Sequence, residues 1–317
     1  MSAPVKPAND PAVIEEAVAL LKAGGLVAMP TETVYGLAAD AGNADAIARL
    51  YAAKGRPRFN PLIAHVAGPS MAWRLAGWPD LAEQLAEAFW PGPLTLVLPK
   101  RPDAPIADIA NAGLDSIALR APRHTAAQAL IRAFDDPLVA PSANPSGGIS
   151  PTTAQHVADG LGDRIDLILD GGACPVGLES TVIALLGGLP TLLRPGGLPR
   201  RQIEAITGRL EEPGSSETLL APGMMKSHYA PNAAMRLNAE TAEAGEVLLG
   251  FGAIRGDLNL SAAGDLAEAA TGLFAALRAL DARGAARIAV APIPDEGLGE
   301  AINDRLQRAA APKNDLT

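Results

Sequence analysis

The sequence is poor in cysteine and in aromatic residues, and it contains no long apolar run. Cys174 is the one cysteine among 317 residues, which excludes an internal disulfide and a cysteine-rich zinc site. No apolar stretch approaches the ~20 residues that would cross a bilayer. The N-terminus, MSAPVKPANDPAV, lacks the basic and apolar regions of a signal peptide. These absences predict a cytoplasmic protein.

Several nucleotide and metal motifs are also absent. The pattern G-x-x-x-x-G-K-[ST] does not occur, which excludes the usual P-loop. The histidines His65, His124, His156 and His228 are scattered without ligand spacing, so we expect no metal held by protein side chains alone. GFGAIRG (250–256) has its third glycine one residue late for a dinucleotide loop, and a strand-to-helix turn is the favoured interpretation.

The charge balance is acidic, but cations cluster locally. A formal net charge of −9 argues against nonspecific nucleic-acid binding, which needs a basic surface. The stretch KGRPRFNPLIAHV (54–66) nevertheless places Lys54, Arg56 and Arg58 within five positions, directly before a predicted strand. Such a cluster suits a small anionic ligand.

Strand and helix patterns alternate along the chain. A helix is predicted after Asn9 or Asp10, and strands are predicted at 25–30, 61–66, 94–98, 116–120, 137–140, 166–170, 181–185 and 190–194. Further helices are predicted at 43–53, 80–89, 123–134 and 152–160. This alternation predicts an α/β or mixed sheet covered by helices. We assign residues 1–210 to this domain, 211–233 to a linker rich in Pro, Gly, Ser and Met, and 234–317 to a smaller α/β unit.

Polar loops rich in glycine and proline follow several predicted strands. PSANPSGGISPTT (141–153) can turn hydroxyls and backbone N–H groups toward one anion, although a simple turn that caps a helix is the alternative. PTETVYG (30–36) has a helix cap as its alternative, and Arg120 and Arg194 end two other strands. Ligands gather where strand ends converge, so we expect a nucleoside triphosphate and a small carboxylate to bind there.

Seven motifs over about residues 10–210 resemble, in the same order, the YrdC-type threonylcarbamoyl-AMP synthases. They are PTETVYGLAADA, KGRPRFNPLIAHV, WPGPLTLVL, SIALRAPRH, APSANPSGGISPT, GLESTVI and LLRPGG. SHYAP (227–231) and the unit after it resemble the longer, two-domain form of the family. The resemblance implies a twisted mixed α/β sheet with a concave, positively charged face, a smaller Rossmann-like C-terminal domain, and a linker over the active site.

The resemblance also implies the reaction. L-Threonine, bicarbonate and ATP, the last with Mg²⁺, form threonylcarbamoyl-adenylate and release pyrophosphate, so the enzyme is a nucleotidyltransferase. A partner transferase then moves the threonylcarbamoyl group to the adenosine beside the anticodon of tRNAs that read codons beginning with A. Direct binding of tRNA by this chain is expected to be weak.

By the same resemblance, particular residues receive roles. The threonine contacts would be Thr33, His65, Arg120, Ala140 and Ser180. The ATP contacts would be Arg56, Asn60, Ser116, Ser142, Ser150, Arg194 and Tyr229. Lys54 and Arg56 would be catalytic, since fixed positive charge offsets repulsion between an anionic carbamate and the α-phosphate. Arg58 receives no role.

Three other interpretations stay open at this point. A noncatalytic double-stranded RNA-binding module of the same fold is disfavoured by the acidic charge and by an aromatic content of 3%. A carbamoyl-transfer enzyme of the hydrogenase-maturation type would need cysteine-paired zinc fingers, which one cysteine cannot supply. A nucleotide-binding regulator draws mild support from the two-domain layout.

Overall fold

The first part of the chain forms one mixed sheet of ten strands covered by helices. The computed structural model describes residues 2–214 and 228–312. The strands are β1 (Val5–Pro7), β2 (Val27–Met29), β3 (Gly36–Asp40), β4 (Ile63–His65), β5 (Leu94–Pro99), β6 (Ser116–Arg120), β7 (Leu138–Val139), β8 (Leu167–Asp170), β9 (Thr181–Ala184) and β10 (Thr191–Arg194). Their order in the sheet is β1-β8-β2-β3-β7-β4-β6-β5-β9-β10, with parallel and antiparallel neighbours.

Seven helices accompany this sheet in the described part of the chain. They are α1 (Pro11–Lys22), α2 (Ala44–Lys54), α3 (Pro69–Ala72), α4 (Asp80–Phe89), α5 (Thr125–Phe134), α6 (Ala154–Leu161) and α7 (Arg200–Thr207). Asp10 caps α1 by accepting a hydrogen bond from the Ala12 N–H. Asn43 caps α2 in the same way, which satisfies N–H groups that the helix itself cannot pair.

A second sheet of four parallel strands forms the C-terminal part. Its elements are β11 (Ala234–Arg236), β12 (Glu246–Gly250), β13 (Leu258–Asn259), α8 (Leu266–Asp281), β14 (Arg287–Val290) and α9 (Leu298–Ala310). The strand order is β11-β14-β12-β13. Parallel strands with helical crossovers agree with the predicted Rossmann-like unit.

The prediction for GFGAIRG was wrong in one respect. The segment connects β12 to β13, a parallel strand, and the next helix begins only at Leu266, so it is not a strand-to-helix turn. A Cβ atom on Gly250 would lie 2.2 Å from the Ile254 carbonyl oxygen, and one on Gly256 would lie 2.2 Å from that of Leu248. These glycines are therefore explained by close backbone packing.

The two parts of the chain share a hydrophobic core. The cluster beneath α8 and α9 includes Val34, Ile149 and Leu178, which belong to the first part. Glu211, in the predicted linker, still pairs with β10 through the Leu192 N–H. Most of that predicted linker, 215–227, lies outside the described residues. None of the helices in the described ranges is long and apolar enough to span a bilayer.

Candidate active site

A cavity lies where loops after several strands of the large sheet meet the chain at 228–229. Its lining consists of Thr33, Val34, Arg56, Ile63, His65, Arg120, Ala140, Pro141, Ser142, Glu179, Ser180, Arg194, His228 and Tyr229. Most residues singled out in the sequence are therefore brought together: Thr33, Arg56, His65, Arg120, Ala140, Ser142, Ser180, Arg194 and Tyr229. The convergence arises because the motifs follow or end neighbouring strands of one sheet.

Four of the predicted residues do not line this cavity. Lys54 and Ser150 are hydrogen-bonded to residues that do, Ser142 and Glu179. Asn60 accepts a hydrogen bond from the Arg56 guanidinium through its backbone oxygen. Ser116 begins β6 while Arg120 ends it, so about 13 Å of strand separates them. Arg58 is exposed, which agrees with its lack of an assigned role.

His65 and Arg120 stand side by side at the ends of two parallel strands. The register of β4 with β6 pairs these two residues directly. Arg120 is buried, and its Nη2 forms an ion pair of 2.7 Å with Glu32 Oε1. The second Glu32 oxygen accepts a hydrogen bond from the Arg123 N–H. Glu32 thus fixes the Arg120 guanidinium at the cavity wall.

The His65 ring is held neutral. Burial, together with the nearby positive charge of Arg120, lowers the pKa of His65 to about 3. Its Nδ1 lies 3.2 Å from the Ile63 carbonyl oxygen, which can only accept, so Nδ1 carries the proton. The other ring nitrogen, Nε2, is then an unprotonated acceptor.

The Thr33 hydroxyl proton also points in one direction, toward Thr31. Thr31 Oγ1 donates its single proton to the Val34 carbonyl oxygen at 2.6 Å. The 2.8 Å contact between the two threonine hydroxyls must therefore use the Thr33 proton. Thr33 Oγ1, fully buried from bulk water, presents lone pairs only and can accept a hydrogen bond from a ligand.

The loop at 141–150 is tied down mainly by Lys54 and Asn144. The Lys54 ammonium donates to the carbonyl oxygens of Ser142 and Asn144, each at 2.5 Å, and the Lys54 carbonyl accepts from the Ser146 N–H at 2.8 Å. The Asn144 amide donates to the carbonyl oxygens of Pro145 and Gly148. These bonds fix the backbone of a loop that composition alone predicted to be an anion cradle.

Besides Arg120, which is paired with Glu32, three buried cations lie in or beside the cavity. Lys54, Arg56 and Arg194 are each at most 8% exposed. Burial and the neighbouring Arg56 lower the pKa of Lys54 well below its ordinary value, and burial lowers the pKa of Arg56 to about 10. The Arg56 Nε finds no hydrogen-bond partner in the described part of the chain. An anion bound here would compensate charge that the protein leaves concentrated.

Ser180 is positioned by Arg194 and Thr95. The Arg194 Nη2 donates to the Ser180 carbonyl oxygen at 2.8 Å and to its hydroxyl oxygen at 3.2 Å. The same hydroxyl lies 2.7 Å from Thr95 Oγ1. Its hydrogen-bonding capacity is therefore used largely within the protein.

Five residues of the lining were not predicted as site residues, and two of them, Glu179 and His228, are ionisable. Glu179 directly precedes Ser180, and His228 directly precedes Tyr229. Each therefore adjoins a predicted site residue within a motif, and this adjacency was the signal that could have identified it. Burial alone would raise the pKa of Glu179, but the charges of Arg305 and Arg194 outweigh it and hold the pKa below its ordinary value. Burial and the surrounding cations lower the pKa of His228 well below its ordinary value.

Tyr229 closes the cavity from the linker side. Its backbone adopts φ +64°, and its ring lies 5.6 Å from that of Phe274 in α8. The neighbouring His228 N–H donates to the Arg308 carbonyl oxygen in α9, and the Ala230 N–H donates to that of Gly147. The end of the linker is thus attached both to the C-terminal domain and to the 141–150 loop.

The cavity offers no evident cage for a metal ion. Within residues 2–214 and 228–312, no group of three His, Cys, Asp or Glu side chains could hold one. Glu179 is the carboxylate of the lining, and its two oxygens already contact Ser150 and Arg305. The donors that face the cavity suit anionic oxygens instead.

Two protein families match successive parts of the chain. Residues 19–196 match the Sua5_yciO_yrdC family, described as "Telomere recombination". Residues 198–311 match a second family, described as "Threonylcarbamoyl-AMP synthase, C-terminal domain".

Relatives and solved structures extend this similarity over the whole chain. The threonylcarbamoyl-AMP synthase of Bacillus subtilis is 43% identical, covering 95% of this chain and 94% of the relative. The crystal structure of Pyrococcus abyssi Sua5 complexed with L-threonine superposes with a TM-score of 0.87 at 41% identity, covering 94% of each chain. The threonylcarbamoyl-AMP synthase of Halorhodospira halophila is 40% identical but covers only 60% of this chain and 93% of its own length.

Proposed function

This chain belongs to the Sua5/YrdC family of threonylcarbamoyl-AMP synthases, and we propose that its cavity makes L-threonylcarbamoyl-AMP from L-threonine, bicarbonate and ATP. The observation that carries the proposal is a buried cavity with two halves. One half presents an arginine beside two hydrogen-bond acceptors, and the other presents the buried guanidinium groups of Arg56 and Arg194 beside a polar loop.

The first half suits threonine. The Arg120 guanidinium, fixed by Glu32, binds the carboxylate of the amino acid. Thr33 Oγ1 and His65 Nε2 both present lone pairs, so they accept hydrogen bonds from the hydroxyl and the ammonium or amine of the substrate. The small Ala140 leaves room for the substrate methyl group. Of the two candidates for reading the hydroxyl, Thr33 is favoured over Ser180, whose hydroxyl is engaged by Arg194 and Thr95.

The second half suits the triphosphate of ATP. Arg56 and Arg194 supply charge, and the backbone of the 141–150 loop, fixed by Lys54, supplies N–H groups and the Ser142 hydroxyl. Asn60, Ser150 and Tyr229 adjoin the same half. Ser116 stands apart, but its buried hydroxyl lacks a hydrogen-bond partner in the described ranges, which suits contact with a distant part of the nucleotide.

The chemistry then needs positioning and charge rather than a nucleophilic side chain. The threonine nitrogen attacks the carbon of bicarbonate, and water leaves to give a carbamate. A carbamate oxygen attacks the α-phosphorus of ATP, and the bond to the bridging oxygen breaks to release pyrophosphate. Both reactants are anionic, so the charge of Arg56, with Lys54 behind the loop, offsets their repulsion.

In this proposal, Mg²⁺ binds together with ATP. Because the carboxylate of the lining is already paired, its ligands would be phosphate oxygens, with the hydroxyls of Ser142 and Ser150 as neutral neighbours. The ion would supply further positive charge to the phosphates. A transferase that acts on tRNA would consume the adenylate, which is a reactive mixed anhydride.

The RNA-binding alternative is not favoured. A net charge of −9 and the burial of Lys54, Arg56 and Arg194 argue against a basic surface for a duplex.

Omitting one substrate at a time tests the function directly. Pyrophosphate release from ATP is measured with threonine, bicarbonate or Mg²⁺ left out of the reaction. We expect release to require all three, and mass spectrometry to detect threonylcarbamoyl-AMP. Release that continues unchanged without threonine would refute the proposal.

A further inference from the structure

Arg305, in α9 of the C-terminal domain, is 0% exposed although it is charged. Burying a guanidinium costs several kcal/mol unless its charge and its donors are matched. The residue lies in the second sequence family, about 100 residues beyond the last motif of the catalytic domain. What it contacts is therefore informative about the role of that domain.

Its first contact leads to the catalytic domain. Arg305 Nε lies 2.7 Å from Glu179 Oε2, and Glu179 Oε1 accepts a hydrogen bond of 2.5 Å from the Ser150 hydroxyl. Arg305 Nη1 also donates to the Pro195 carbonyl oxygen at 3.0 Å. A continuous chain of polar contacts thus runs from α9 through the cavity wall to the 141–150 loop.

Its second contact is with the linker. The guanidinium carbon lies 5.2 Å from the centre of the Tyr229 ring, within the range of a cation–π interaction. Phe274 of α8 contacts the same ring. The C-terminal domain therefore holds the side chain that closes the cavity.

The Arg305 Nη2 is buried and has no hydrogen-bond partner among residues 2–214 and 228–312. A buried donor without a partner lowers stability, and an apolar side chain of similar size would avoid that cost. Folding stability alone therefore does not account for an arginine at this position.

We propose that Arg305 is a positioning residue for the nucleotide half of the site. It fixes the Glu179 carboxylate that holds Ser150, and it supports Tyr229 over the cavity. The proposal rests on the proposed function. It assigns the C-terminal domain to ATP binding and leaves the threonine half, built around Thr33, His65 and Arg120, to the catalytic domain.

The test compares Arg305→Met and Arg305→Lys with Arg200→Met. Arg200 forms an ion pair of 2.5 Å with Glu300, so it also joins the catalytic domain to α9, but it lies outside the cavity. For Arg305→Met we expect the KM for ATP to rise about tenfold or more while the KM for threonine changes by less than about twofold. Arg305→Lys keeps the positive charge, so its KM for ATP should lie between the values for Arg305→Met and the wild type.

A purely structural role would not produce this split, because a loss of folded protein lowers turnover equally for both substrates. Arg200→Met should leave both KM values near those of the wild type. If the folded Arg305→Met and Arg305→Lys proteins matched Arg200→Met in the KM for ATP, the proposal would be overturned.

A double-mutant cycle tests the route through Glu179. Glu179→Gln keeps an acceptor for Ser150 but removes the charge that pairs with Arg305. If Arg305 acts through Glu179, the effects of Arg305→Lys and Glu179→Gln on the Kd for ATP will be less than additive. Full additivity would contradict that route. Calorimetric titration gives this Kd without turnover, so the result is distinguishable from a failure of threonine-dependent pyrophosphate release.

Discussion

His65 is neutral because it is buried beside Arg120, and this has a consequence for stability. Its folded pKa is about 3, whereas an unfolded histidine titrates near 6.5. As the pH falls below about 6.5, the unfolded chain takes up a proton at this position and the folded chain does not. The stabilisation is therefore complete above that pH and is lost progressively down to about 3.

We predict that His65→Gln flattens this dependence. Between pH 7.5 and pH 5.0 the wild type should lose about 2 kcal/mol more of its unfolding free energy than the variant. Urea denaturation at the two pH values measures the difference. His228, also buried with a lowered pKa, contributes equally to both proteins and cancels. If the unfolding free energies of the wild type and His65→Gln fell by the same amount between the two pH values, His65 would take up its proton in the folded state as well.

Thr33 is predicted to select the substrate hydroxyl. Thr33→Val preserves the shape of the side chain but removes the lone pairs that face the cavity. We expect the preference for threonine over valine, measured as the ratio of kcat/KM values for pyrophosphate release, to fall about tenfold or more. Thr191→Val is the control, because Thr191 is half-buried at the start of β10 and does not line the cavity. An unchanged ratio would show that a residue other than Thr33 recognises the hydroxyl.

At the scale of single elements, the end of α2 directs two cations. Lys54 is the last residue of the helix, Gly55 follows with φ 60°, and Arg56 begins the next segment. The left-handed glycine turns the chain, so Lys54 binds the 141–150 loop while Arg56 lines the cavity. The sequence K-G-R is therefore a helix terminus as well as a charge cluster.

Gly55→Ala tests this arrangement. No atom lies within 4 Å of the added Cβ, so the cost comes from the left-handed backbone and should be about 1–2 kcal/mol of unfolding free energy. Turnover should fall more than in Gly68→Ala, where φ is 167° and the site is equally open. Gly55→Asn should recover part of the loss, since asparagine tolerates this conformation. If Gly55→Ala and Gly68→Ala lost the same unfolding free energy and the same turnover, the left-handed turn at Gly55 would not be needed to direct Lys54 and Arg56.

Most elements were predictable because their apolar patterns match a strand or a helix. The helix predicted at 80–89 agrees with α4, and the strand predicted at 116–120 agrees with β6. Strands β1, β3, β11 and β13 were not predicted. Strand β3 has the sequence GLAAD, in which Gly, Ala and Asp have low strand propensity. It forms because it pairs with β2 on one side and β7 on the other. Propensity cannot report such long-range pairing.

At the scale of the whole molecule, the same limit applies to the site. Thr33, His65 and Arg120 could be assigned because each belongs to a short local motif that resembles the family's. Arg305 could not, because its meaning depends on Glu179, 126 positions away. The spacing of Ala301, Ile302 and Leu306 already places Arg305 on the buried face of α9, but only the packing of the domains shows that its partner is Glu179.

The packing of the domains can itself be tested at Gly177, which precedes Glu179 and Ser180. A Cβ there would lie 2.5 Å from the Ala270 carbonyl oxygen and from the Thr271 Cα of α8. Gly172, in the same loop, has a similar positive φ but no atom within 4 Å of an added Cβ. Both alanine variants carry the backbone cost, and only Gly177→Ala adds the clash.

We therefore expect Gly177→Ala to lower the unfolding free energy by about 1–3 kcal/mol more than Gly172→Ala. Because the displaced segment continues into the Glu179–Ser180 wall, the KM for ATP should also rise in Gly177→Ala and stay near the wild-type value in Gly172→Ala. Chemical denaturation and steady-state kinetics measure the two effects. If both variants lost the same stability and kept the same KM, close contact between this loop and α8 would not be needed for the nucleotide half of the site.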